Sequence, residues 1–273
     1  MSQDDLQTIV LLTLIGFVTN RIAYLLGYFN RPSYAQSQVR FVNLLTVFSI
    51  YLGFLFVVPT ILAIVFNNLM VTYQIFLQFV SMIAMVSLLF LYIKTDRFKV
   101  MTGALKNPES TSSVWKDFGI GIVSLAIAYP WVTVMNQICN FFLKVIFDYE
   151  TPDQVAVQYL RDSLDTKEKM FTALLTIIIV APIVEEILFR GTLQQWLKRY
   201  LPVKFAIALS ALVFSLFHYS PMQGLGNFAL IPSLFVLACF LGYNYERQGS
   251  IYASMGLHIS FNILGTLQIL FFS

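Results

Sequence analysis

Residues 177–191 read IIIVAPIVEEILFRG, an apolar run interrupted by the adjacent acids Glu185 and Glu186 and, one turn later, by Arg190. A charge at the centre of a hydrocarbon layer costs at least ~2.5–3.5 kcal/mol on insertion scales, so a Glu-Glu-Arg cluster at that depth needs a reason to exist. What surrounds the run decides whether it lies at that depth. The chain is 58% hydrophobic and only 11% charged, against about 45–50% apolar and about 25% charged in a soluble domain. Several runs exceed the ~18–20 apolar residues needed to cross a bilayer. Alternating strand patterns are absent, and lipid tolerates only helices or closed barrels. The fold class expected is therefore all-α, a polytopic membrane protein with about eight transmembrane helices.

The spans are expected at roughly 8–29, 41–66, 70–93, 118–147, 170–190, 204–219, 228–246 and 250–271. Polar or Pro/Gly-marked connections separate them, among them Asn67-Asn68, Asn107-Pro108, Leu201-Pro202 and Arg247-Gln248-Gly249. This divides the chain into four N-terminal helices (1–150), an amphipathic connecting segment (151–169) and a C-terminal four-helix region (170–273). The opening MSQDD is acidic where a secretory leader begins basic, so the first span is expected to stay as a helix. With the N-terminus outside, Arg31, Arg40, Lys94, Arg97, Lys99, Lys106, Lys116, Arg190, Lys198, Arg199, Lys204 and Arg247 fall inside. Only Arg161, Lys167 and Lys169 remain outside, a positive-inside bias that puts both termini on the non-cytoplasmic face. In PDQVAVQYLRDSLD, residues 152–165, Val157, Leu160 and Leu164 share one helical side and suggest an interfacial helix. After Arg190, Trp196 and Tyr200 suit an interface, and Lys198 and Arg199 suit anionic head groups.

The chain has only two histidines, both in apolar stretches. His218 closes Phe214-Ser215-Leu216-Phe217-His218, and His258 is followed four residues later by Asn262. Glu185 and Glu186 are about 100° apart on a helix and cannot share one direction. Glu186 and Arg190, at i and i+4, can pair along one face and leave Glu185 for a substrate or water, although rotation alone allows the reverse. Pro182, one turn before the acids, removes an amide donor and frees a carbonyl near Ile178. If a hairpin turns near Leu201-Pro202, Glu185 and His218 reach similar depth, provided the first helix continues through most of 191–200. A carboxylate beside a neutral imidazole can deprotonate water, and a His and Asn on one helical face can donate to an oxyanion. Those parts can hydrolyse an amide without a covalent intermediate. HExxH, GxSxG and a P-loop are absent, and every Asp lies outside the apolar cores, which removes the HExxH-type zinc, serine, aspartyl and ATP-driven schemes.

In order and spacing, EExxxR at Glu185, Glu186 and Arg190, FxxxH at Phe214 and His218, and HxxxN at His258 and Asn262 resemble the CPBP family. That family comprises CAAX prenyl endopeptidases and their bacterial relatives, the Abi or bacteriocin-immunity proteases. The resemblance covers roughly residues 170–265. It implies an eight-helix intramembrane endopeptidase in which Glu185 and His218 activate water. His258 and Asn262 would form the oxyanion hole, with Glu186, Arg190 and Phe214 in support. It also implies a glutamate-activated water without metal. Chemistry alone leaves zinc open, with Glu185, His218 and His258 as the ligand set.

The expected partners are membrane lipid and a membrane-associated protein or peptide, lipidated or CAAX-like substrates included. A formal charge of +3 gives no case for nucleic acid. The expected location is multi-pass in a membrane, the cell or inner membrane in a bacterium. Two other classes use the same residues. Intramembrane Glu, Arg and His can form an ion or proton relay in a transporter, though no internal repeat is seen. A non-catalytic immunity or scaffold protein would not need Glu185. Cys139 and Cys239 lack metal or redox spacing and read as small buried hydrophobes.

Overall fold

The computed structural model describes residues 3–30, 32, 34, 37–65, 71–95, 100–152 and 154–272. The Asn67-Asn68 connection, Arg31, Arg97 and Lys99 of the basic set, and Asp153 lie outside the described residues. Among the described residues, seven helices are long and apolar enough to cross a membrane. They are α1 (Leu6–Leu25), α2 (Phe41–Leu62), α3 (Phe76–Thr95), α4 (Val114–Phe147), α5 (Lys167–Leu197), α7 (Pro221–Gln248) and α8 (Ile251–Phe271). Between α5 and α7 lies α6 (Val203–Leu216), apolar but only 14 residues long. No β-strand occurs among the described residues. This is a multi-pass, all-α integral membrane protein, with α6 as the shorter eighth element.

Local chemistry sets several boundaries. Ser113 caps α4 by accepting the Lys116 N–H at 3.2 Å, and Thr166 caps α5 by accepting the Lys169 N–H at 3.3 Å. Gly249 closes α7 in the left-handed conformation (φ 59°) that glycine adopts without a Cβ penalty, so α8 begins two residues later. The connection between α6 and α7 ends at Ser220-Pro221, where the ring restricts the residue before it.

The C-terminal helices form the core around α5. Phe189 of α5 packs edge-on against Phe214 (5.1 Å) and Phe217 (5.3 Å), which makes α5 and α6 antiparallel neighbours. Ser210 donates to the Phe189 carbonyl on the same interface. Helix α4 crosses behind α7 and α8. At Gly121 a Cβ would lie 2.1 Å from the Ala253 carbonyl oxygen, and at Gly256 2.2 Å from that of Phe118. The α4 and α8 backbones are therefore in direct contact, the small-residue packing that membrane helices use without a hydrophobic drive between them.

The connecting segment differs from its expected pattern. Its helix, Val155–Asp162, buries Leu160, but Leu164 is exposed because the helix ends at Asp162 and the chain turns at Ser163. Helix α5, in turn, runs on to Leu197 rather than ending near Arg190.

Candidate active site

Helix α5 is not regular. Thr176–Val180 and Ile187–Gln194 are π-helical, with the α-helical turn Ala181–Glu186 between them. In π register the amide of residue i+5 bonds the carbonyl of residue i, as the Ala181 N–H does with the Thr176 carbonyl. The next donor in that register is Pro182, which has no N–H. The Ile177 carbonyl instead accepts from Asn262 Nδ2 of α8 at 2.8 Å. The freed carbonyl expected near Ile178 is thus displaced by one residue, because the wider turn shifts the register. Asn262→Ala should cost about 1–3 kcal/mol by leaving that acceptor unpaired. In a Pro182→Ala background, where an amide is available again, the cost should fall. Thermal unfolding of the four variants in detergent checks this non-additivity.

The adjacent acids separate as their angular offset requires. Glu186 is fully buried. Its Oε1 meets Arg190 at 3.2 Å and accepts from His258 Nδ1 at 2.8 Å. Arg190 is itself buried, donates to the Ala238 carbonyl of α7 at 3.2 Å, and lies 4.5 Å above the Phe214 ring. Glu185 keeps 17% of its side chain exposed, and its Oε2 stands 3.7 Å from His258 Nε2. The expected Glu186–Arg190 pair is present, and Glu185 is the acid left toward open space.

The histidines are arranged differently from each other. The His258 ring bridges the two glutamates, one nitrogen to each. Its Nδ1 donates, since the carboxylate can only accept. The His218 Nδ1 lies 2.9 Å from the Phe214 carbonyl oxygen. A carbonyl has no hydrogen to give, so Nδ1 carries the proton and Nε2 keeps its lone pair. The Phe214 ring lies 4.8 Å from that of His218 and 5.8 Å from that of His258. Phe217, the neighbour of His218, packs on Phe189, one turn after Glu185 on α5. The proviso set on the first helix is met, since α5 does not break at Gly191 and runs to Leu197. Among the described residues, however, the ion pair of Glu185 runs to His258 and not to His218.

A polar stripe missed at the sequence level supports this arrangement. Arg190 bonds the carbonyl of Ala238, and Gln194 that of Gly242. Gln194 and Gln195 donate to Glu246 at 2.9 and 3.2 Å, and Lys198 meets its other oxygen at 2.8 Å. Lys198 is therefore engaged with α7, not directed to lipid head groups as expected. The repeated offset of 48 residues shows that α5 and α7 run parallel. Glu186, Arg190, Gln194 and Lys198 at four-residue intervals carried this signal.

Among the described residues, no group of three or more His, Cys, Asp or Glu side chains is arranged to hold a metal ion. Glu185, His218 and His258 do not form such a group among the described residues. The bonds of His258 Nδ1 to Glu186 and of His218 Nδ1 to a carbonyl leave both Nε2 atoms available, so they do not themselves exclude a metal.

Residues 167–264 match the family model described as type II CAAX prenyl endopeptidase Rce1-like. This region is similar to that family. The match begins with α5, ends within α8 and contains every residue of the three motifs. It is consistent with the CPBP family and, at family level, with a CAAX-type intramembrane protease acting on membrane-associated protein substrates. No curated protein matches the chain, and no solved structure does. Helices α1 to α4 lie outside the Rce1-like region.

Proposed function

We propose that this protein is an intramembrane endopeptidase that hydrolyses a peptide bond in a membrane-associated protein or peptide by a glutamate-activated water. Lipidated and CAAX-like chain ends belong to the substrate class. The observation that carries the reading is the division between the two acids: Glu186 is committed to Arg190 and His258, while Glu185 is partly open beside an imidazole nitrogen.

The proposed chemistry follows the proton. Water is held by Glu185 and by the lone pair on His218 Nε2, and its oxygen attacks the scissile carbonyl carbon. Glu185 takes the proton and passes it to His258 Nε2, 3.7 Å away. His258, then an imidazolium between two carboxylates, donates Nε2–H to the tetrahedral oxyanion. The second amide hydrogen of Asn262, the first being bonded to Ile177, is the other donor. Collapse breaks the C–N bond, and the same proton leaves with the amine. Glu186, Arg190 and Phe214 hold the acids and rings in place, and no metal takes part. Both termini are assigned to the non-cytoplasmic face, on the basis of Lys106, Lys116, Lys198, Arg199, Lys204 and Arg247 at the opposite end.

The test compares wild type, Glu185→Ala and His218→Ala against a host-membrane proteome, with chelated and metal-free preparations in parallel. Cleavage products seen only with wild type support the protease. Unchanged biological activity in both variants would mean scaffolding, and solute or proton flux lost without any cleavage would mean transport. Loss of cleavage on chelation would overturn the metal-free scheme.

A further inference from the structure

His218 lies just beyond the end of α6, where the last helical residue is Leu216. Among the described residues its ring is hydrogen-bonded on one side, through Nδ1 to Phe214. The His218 N–H bonds the Ser215 carbonyl and the Tyr219 N–H that of Leu216, so His218 stands in the turn that closes α6, and the direction of Nε2 depends on how that turn is held where it passes into the connection that follows. That connection is unusual: Ser220 is extended, residues 221–226 form a 3-10 turn, and Gly224 adopts φ 49° and ψ −127°. Such a path needs an external tie, because a short turn of this kind satisfies few of its own carbonyls.

Asn227 supplies the tie. It is buried at the start of the regular part of α7, and three of its hydrogen-bonding positions are spent on this one segment. Its Oδ1 accepts the Ser220 N–H at 3.1 Å. Its Nδ2 donates to the Ser220 carbonyl at 2.7 Å and to that of Gly224 at 3.0 Å. The contacts to Ser220 fix both polar backbone atoms of a residue two positions after His218. On the far side Tyr149 donates to the Gln223 carbonyl at 3.3 Å, so the loop is held from two directions.

We infer that Asn227 is a positioning residue for His218, fixing through Ser220 the direction in which the imidazole presents Nε2. The inference rests on the protease reading for its catalytic consequence, but not for the clamp itself. Two histidines in the whole chain make the clamp directly observable. With [15N]histidine-labelled full-length protein in nanodiscs, wild type should show His218 in a single Nδ1–H tautomer. In Asn227→Ala and in Asn227→Asp, which keeps size and the acceptor but loses both donors, the His218 signals should average between tautomers. His258 signals should stay unchanged and serve as the control for an intact fold. On a substrate found by the proteome test, kcat should fall about 10–10²-fold in both variants with KM nearly constant. Adding Asn227→Ala to His218→Ala should cause no further loss. Unchanged His218 signals in both variants would overturn the inference, as would an equal loss of rate in the His218→Ala background. If His218→Ala cleaves like wild type while the tautomer signals still respond to Asn227, the clamp stands and the catalytic assignment of His218 falls.

Discussion

Glu185→Gln should lower the cleavage rate about 10²–10⁴-fold, the range in which a positioned general base contributes. The substitution keeps the shape of the side chain and removes only the ability to take a proton. Glu185 is also the less buried of the two acids, and its contact with His258 at 3.7 Å is longer than a hydrogen bond. Protein yield, detergent-solubilised folding and the thermal midpoint should therefore stay close to wild type. Rate measurement on purified protein, paired with thermal unfolding of the same preparation, separates the two effects. A Glu185→Gln protein that cleaves at more than a tenth of the wild-type rate would remove Glu185 from the role of base.

Arg190→Ala should have the opposite profile, with stability lost first. The guanidinium is buried among Glu186, the Ala238 carbonyl and the Phe214 ring. Its removal takes one charged partner from a buried carboxylate, and breaking a buried pair from one side costs about 3–5 kcal/mol. Replacing both partners by apolar residues of similar volume, Glu186→Leu with Arg190→Met, removes the unpaired charge and should recover much of that stability. It should not recover cleavage, because His258 loses the acceptor that holds its Nδ1. Thermal unfolding of the single and double variants reads the first outcome, and a cleavage assay reads the second. If Arg190→Ala unfolds at the wild-type temperature, the buried pair is not what holds α5 against α7 and α8.

The membrane class was legible because apolar length and low charge are bulk properties that need no knowledge of neighbours. The division between Glu185 and Glu186 was partly legible for a similar reason. Helical rotation separates adjacent residues, and the i, i+4 spacing to Arg190 favours one of them. Other features depend on partners distant in sequence. The end of α5 was expected near Arg190 because Gln194, Gln195 and Lys198 look like surface residues, yet Glu246, about fifty positions later, buries them. His258 was expected to face an oxyanion, and only the crossing of α8 over α5 shows its ring between two carboxylates. Pro182 correctly marked a disturbed carbonyl. Which carbonyl it was depended on a π turn that no propensity scale signals.

The shortness of α6 has a consequence for the bilayer itself. Fourteen residues rise about 21 Å, roughly 9 Å less than a typical hydrocarbon core of ~30 Å. Hydrophobic mismatch of this size is relieved by local thinning, by tilt of neighbouring helices or by sinking the flanking loop below the lipid surface. Each response draws the head-group boundary, and the water that comes with it, toward the end of α6 where His218 stands. A hydrolytic centre inside a membrane needs a supply of water without an open pore. Here a missing turn and a half or so of helix would deform the lipid at the place where the proposed hydrolysis would consume water.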